Sequence, residues 1–339
     1  MYVFADWISG RKDNRKSIRP ARPAAGDGKS IAGCSPGLVL RNSKNWLRLI
    51  GIALLIFLLS RINLQEMLSA LRQAALPLVL LAVIANVPQI FLKAIRWRQL
   101  LRSQGIEYAA IPAMLSYFGS IFIGLLTPGR LGELVKAAHV SHDCNIPKAR
   151  AFSSVLVDRL FDLYALMILG GAALLSQHTG MDKKNAIAFA LSAAVLVIPL
   201  IVFLKFPIFS ENSWIGQMRI SLLELKLPAI LIGSLLTIIA YAIFFEQCYL
   251  LAQSLMLNAT FLQISYAVAL GSLVTLIPIS ISGLGTREAA IMSYLKTIGI
   301  SPAASIGFSL LIFLTFYVAG GLMGAIAWYI KPVEWKDKK

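Results

Sequence analysis

Arg130, Glu133 and Lys136 recur at three-residue spacing just after an apolar run, Ile121 to Leu126. A helix would carry all three on one broad side. A planar guanidinium can fork onto a phosphate, and an ammonium adds a point charge. Glu133 can position those cations or bind a cationic group. Pro128 and Gly129 stand just ahead, and Gly132 follows. They break a helix, because proline lacks the N–H donor and glycine lacks steric restraint. A broken helix presents free N–H groups and a positive dipole end, so an adjacent arginine suits an anionic group. A second stretch echoes the first: Pro278, then Ser280 to Glu288, with Gly283 and Gly285 as breaks and Arg287 and Glu288 as the charged pair. Two broken apolar segments, one in each half, point to a transporter-type binding site.

Four more charges lie in apolar context: Asp158, Arg159, Asp162 and Glu246. A charge at mid-bilayer costs about 3 kcal/mol or more, so such residues face a bundle interior and pair. Arg159 and Glu246 join the candidate binding set. Asp158 and Asp162, one helical turn apart, can both reach Arg159 or a neighbouring arginine and read as structural ion-pair residues. His139, His142, Asp143 and Cys144 lack a structural zinc spacing, so no metal is expected. Gly28-Lys29-Ser30 resembles the end of a P-loop, but the first required glycine falls at Pro23. Gly283-Leu284-Gly285 has no third glycine, and no catalytic triad or His-Glu-x-x-His motif occurs. No catalytic residue and no cofactor are expected.

The surroundings of these charges set the class. Of 339 residues, 58% are hydrophobic and 14% charged, with a mean hydropathy of +0.73. Long apolar runs of this kind make an all-α polytopic membrane protein. The formal net charge of +16 falls between apolar runs. It therefore points to membrane orientation and anionic lipid rather than nucleic acid. Cys34, Cys144 and Cys248 are too scattered for a disulfide framework.

Spans are expected at about 46–60, 77–95, 151–175, 185–204, 227–251 and 302–330. Lys93, Arg96, Arg98 and Arg102 read as a basic cytoplasmic loop after the second span. Residues 110–140 read as a re-entrant hairpin, because both flanks are basic; 261–298 read as a second one entering from the other face. About six full spans plus two oppositely oriented hairpins return both termini to the cytoplasm, as a candidate inverted repeat. Residues 1–45 and 332–339 read as basic cytoplasmic tails around a membrane domain at 46–331 in the cell membrane.

Three ordered motifs, residues 127–136, 154–162 and 282–288, resemble the lysylphosphatidylglycerol synthase transmembrane (flippase-like) family. The likeness covers about residues 46–330. It implies an integral membrane protein that moves or handles lipids, with membrane lipids and a separate lipid-modifying enzyme as partners. Other relatives belong to hopanoid, isoprenoid or glycolipid pathways. The best-known members add a cytoplasmic aminoacyl-transferase domain after this region. Only nine residues follow Ile330 here, so lysyl transfer is not expected. The alternative reading is a membrane enzyme, or a non-catalytic subunit of a lipid-modifying pathway.

Overall fold

A computed structural model describes residues 72, 74–127, 130–176, 210, 213–275, 283 and 285–332. The expected spans at 46–60 and 185–204, the tail at 1–45, most of the tail at 332–339, and Pro128, Gly129 and Pro278 lie outside them.

Helix α1 runs Leu76–Ser103, opening on a proline in its first turn, where a missing N–H costs nothing. The expected boundary at Ile95 is too early by two turns. No breaker stands between Pro88 and Gly105, and the helix ends where Gly105 takes a φ of +71°. Lys93 and Arg96 therefore do not belong to a basic loop. Arg96 is fully buried, because carboxylates on another helix neutralise it.

Helix α2, Ala110–Leu125, leads through a 3₁₀ turn, Leu131–Leu134, into α3, Val135–Asp143. Helix α4 is Lys148–Ser176. The stretch between the expected spans 185–204 and 227–251 contains α5, Trp214–Leu223, capped by the Ser213 hydroxyl. Helix α6 is Leu227–Ser254, α7 Phe261–Thr275 and α8 Thr286–Thr297. Helix α9, Pro302–Ile312, passes through a π-helical turn, Phe313–Val318, into α10, Ala319–Ile330. Regular structure among the described residues is all helical.

Three stretches among the described residues are long and apolar enough to cross a membrane: Leu76–Ser103, Leu227–Ser254 and Pro302–Ile330. Helix α4 has 29 residues, length enough for a ~30 Å hydrocarbon core, but it carries Asp158, Arg159 and Asp162. Helices α2 and α7 have 16 and 15 residues, about 24 and 22 Å at the α-helical rise, and fall short of the core. Leu80, Leu81 and Ile84 of α1 and Leu231, Leu235 and Ile238 of α6 face outward. Such apolar stripes suit lipid rather than water.

The packing is reciprocal. Helix α1 packs on α6. Helix α2 packs on α10 as α7 packs on α4, and α3 sits on α4 as α8 sits on α9. Two large apolar cores stand out among the described residues. One surrounds Trp97, Leu101, Tyr117 and Val155; the other surrounds Phe245, Leu251, Val268, Leu295 and Phe308. Polar side chains collect between them.

Candidate functional site

The break at Arg130 is built by local geometry. Arg130 adopts a left-handed backbone, φ +56° and ψ +29°, a region costly for any residue with a Cβ. The surrounding bonds hold it there. The Thr127 hydroxyl accepts from the Gly132 N–H at 2.6 Å, and the Arg130 carbonyl accepts from the Glu133 N–H at 3.1 Å. A Cβ on Gly132 would lie 2.3 Å from the Ile123 carbonyl oxygen, so only glycine lets the turn lie this close to α2.

Glu133, Asp158 and Asp162 each bridge two cations. Glu133 pairs with Arg130, Nε to Oε1 2.8 Å, and with Arg159 through Oε2. Asp158 accepts from Arg96 Nε at 2.9 Å and from Lys136 Nζ at 2.5 Å. Asp162 accepts from Arg96 Nη1 at 3.0 Å and pairs with Lys93 at 3.3 Å. Arg96 thus links Asp158 to Asp162 and also donates to the Thr237 hydroxyl at 2.8 Å. The arginine that joins the two aspartates is Arg96 of α1, whereas Arg159 turns to Glu133. Lys136 and Asp158 are sealed in, with Lys136 Nζ 4.1 Å from the Tyr117 ring centroid.

A cavity of about 110 Å³ opens beside this network. Lys93, Arg130, Glu133, Arg159 and Asp162 supply its charges. Asn86, Gln89, Ser272 and Thr275 add polar groups, and Tyr117, Tyr241 and Tyr317 add rings with hydroxyls. Among the cations on its wall, Arg130, Arg159 and Lys93 are partly exposed, with 31%, 22% and 18% of their side-chain surface open. Their N–H groups can reach an occupant; those of Arg96 cannot.

The remaining candidates fall elsewhere. Glu246 is exposed on the outer side of α6 and does not line the cavity; its neighbour Gln247 is the buried one and donates to the Ala82 carbonyl at 2.9 Å. Arg287 is buried behind the π-helical turn. It donates to the Ser309 hydroxyl at 3.2 Å and pairs with Glu288 at 2.5 Å. Glu288 also accepts from the Gly285 N–H at 2.5 Å, capping α8. Gly283 and Gly285 both take positive φ, +75° and +84°, which glycine tolerates. Arg287 does not line the cavity, and its guanidinium stands 4.9 Å from the ring centroid of Tyr317, which does.

His139 packs against Trp328, and Asp143 accepts from the Tyr108 hydroxyl at 2.5 Å and from Lys331. Burial alone would raise the Asp143 carboxyl. The Lys331 and Tyr108 hydrogen bonds outweigh it and hold it below the usual carboxylate range.

Lys93, Arg96 and the three tyrosines are site residues that motif reading missed. One signal was available: Lys93 and Arg96 lie three apart, as Asp158 and Asp162 lie four apart, so each pair can share one helical side.

The lysylphosphatidylglycerol synthase TM region family matches residues 45–324. The chain belongs to that family. It is an integral multi-pass membrane protein. It is 28% identical over 227 residues to UPF0104 membrane protein MJ1078 of Methanocaldococcus jannaschii, covering 62% of this chain and 94% of the relative. It is 27% identical over 168 residues to UPF0104 membrane protein PH1989 of Pyrococcus horikoshii, covering 49% of this chain and half of that relative. Over 123 residues it is 36% identical to Glycosyltransferase AglD of Haloferax volcanii, covering 34% of this chain and 19% of that protein. No solved structure matches the chain.

Proposed function

We propose that this protein handles a lipid by admitting its polar headgroup to the charged cavity while the acyl chains stay in the bilayer, and that it moves the lipid between leaflets. The observation that carries this reading is the cavity itself. Lys93, Arg130 and Arg159 present partly open cations on its wall, inside a bundle whose outer faces are apolar. A low-dielectric surrounding strengthens each of those contacts. Arg130 of the first broken segment and Arg287 of the second both stand beside Tyr317 on the cavity wall. We read α2–α3 and α7–α8 as re-entrant hairpins entering from opposite faces. Their short first helices and the reciprocal packing support this. In this arrangement about six spans cross the cytoplasmic membrane with both termini inside.

A second role, as the lipid-handling partner of a lipid-modifying enzyme, has one supporting observation. Part of a relative named as a glycosyltransferase matches this chain. Reconstitution tests the primary reading. Purified full-length protein in liposomes should speed loss of outer-leaflet-quenchable signal from a headgroup-bearing fluorescent lipid. Protein-containing liposomes that match empty ones across phosphatidylglycerol, phosphatidylethanolamine and phosphatidic acid probes would defeat it.

A further inference from the structure

The ion pairs beside the cavity form two strings. One reads Arg130, Glu133, Arg159. The other reads Lys136, Asp158, Arg96, Asp162, Lys93. Each string starts and ends on a cation, so each carries one more positive charge than negative. Five cations against three carboxylates leave a formal excess of two. An uncompensated charge in a low-dielectric interior is costly, so such an excess calls for a counter-charge. Three of the four string ends, Arg130, Arg159 and Lys93, line the cavity beside the network.

Among the described residues, the other walls add no further charge. Tyr117 from α2, Tyr241 from α6 and Tyr317 from the π-helical turn contribute hydroxyls, and Ser272 and Thr275 come from α7. Glu133 and Asp162 face the cavity, but both already bridge two cations. Among the described lining residues, an amine would find no free carboxylate.

Resting on the headgroup reading above, we infer that the group admitted here is a dianionic phosphomonoester, as on a lipid ending in a terminal phosphate, rather than a singly charged phosphodiester. Two negative charges match the two excess cations. Three unesterified oxygens can accept from two guanidiniums and one ammonium at once. A phosphodiester offers one charge and two such oxygens.

The first arm of the test uses the wild-type protein. A phosphomonoester gains its second charge near pH 6, and a phosphodiester does not change there. Phosphatidic acid, phosphatidylglycerol and inorganic phosphate would each be titrated into the detergent-solubilised full chain at pH 5 and pH 8 at fixed ionic strength. Apparent affinity is read from the rise in unfolding temperature. The inference expects phosphatidic acid to bind about tenfold tighter than phosphatidylglycerol at pH 8, with most of that preference gone at pH 5. Equal binding of the two lipids at pH 8 overturns the dianion inference while leaving the headgroup reading intact. Stabilisation by inorganic phosphate with none by either lipid keeps the dianion and overturns the lipid. Lys93→Gln, which removes one string end, should bring the two lipids to near-equal affinity at pH 8. An undiminished preference in that variant counts against the charge match.

Discussion

Arg130 and Arg287 lie on the same aromatic ring. Their guanidinium carbons stand 5.5 and 4.9 Å from the centroid of Tyr317. One arginine belongs to the first broken segment and the other to the second. Tyr317 sits in a π-helical turn, a feature that recurs at functional sites, and it stacks on Phe313 at 5.4 Å. The two motifs are thus joined through a residue that neither contains.

That junction predicts a graded response at Tyr317. Tyr317→Phe keeps the ring and both cation–π contacts, so thermal stability should hold. Tyr317→Leu removes both contacts, each worth about 0.5–2 kcal/mol, and unfolding temperature in detergent should drop. Equal melting of Leu and Phe variants would show that the ring carries no such energy.

Asp158 offers a sharper electrostatic test. It holds Arg96 and Lys136, and all three are fully buried. Asp158→Asn should cost about 3–5 kcal/mol, because it strands a buried cation. Adding Lys136→Met should recover part of that loss. A double-mutant cycle by denaturant unfolding measures the coupling. A single-variant cost below about 1 kcal/mol would contradict the buried pairing.

The turn predicts an order of glycine costs. Gly132→Ala forces a Cβ onto the Ile123 carbonyl and should destabilise by about 1–3 kcal/mol. Gly285→Ala meets no atom within 4 Å but keeps a φ of +84°, for about 1–2 kcal/mol. Gly285→Ala proving the worse of the two in thermal unfolding would contradict the packing at Gly132.

Asp143 predicts a pH dependence. Its folded-state carboxyl is held low. The stability it adds is therefore fully present above its ordinary value near 4 and lost as pH falls below that. Asp143→Asn should flatten the wild-type decline in melting temperature between pH 5 and pH 3. A decline of unchanged slope in the variant would mean that other groups produce it.

Legibility in the sequence follows from context. Arg130, Glu133 and Arg159 stand out, because a charge amid apolar residues has no cheap alternative to pairing. Lys93 and Arg96 do not, since a basic residue near the end of an apolar run reads equally as a cytoplasmic flank. Only the partners decide, and Asp158 and Asp162 lie more than sixty residues away. Glu246 misleads for the same reason: its apolar neighbours are visible, but the side of α6 that it occupies is not. Helix existence is legible from hydropathy for the long apolar segments but not for α5, which lies in a mixed stretch between two expected spans. The π-helical turn and the left-handed Arg130 depend on tertiary packing and leave no local pattern.

The most direct measurement of the central claim compares Arg130→Lys with Glu246→Gln in lipid flipping by reconstituted liposomes. Arg130 lines the cavity and Glu246 does not. Lysine keeps the charge but loses the planar fork. The account predicts that Arg130→Lys lowers the flipping rate about tenfold or more with a near wild-type melting temperature, while Glu246→Gln flips normally. Full activity in Arg130→Lys, or loss of activity in Glu246→Gln alone, would contradict it.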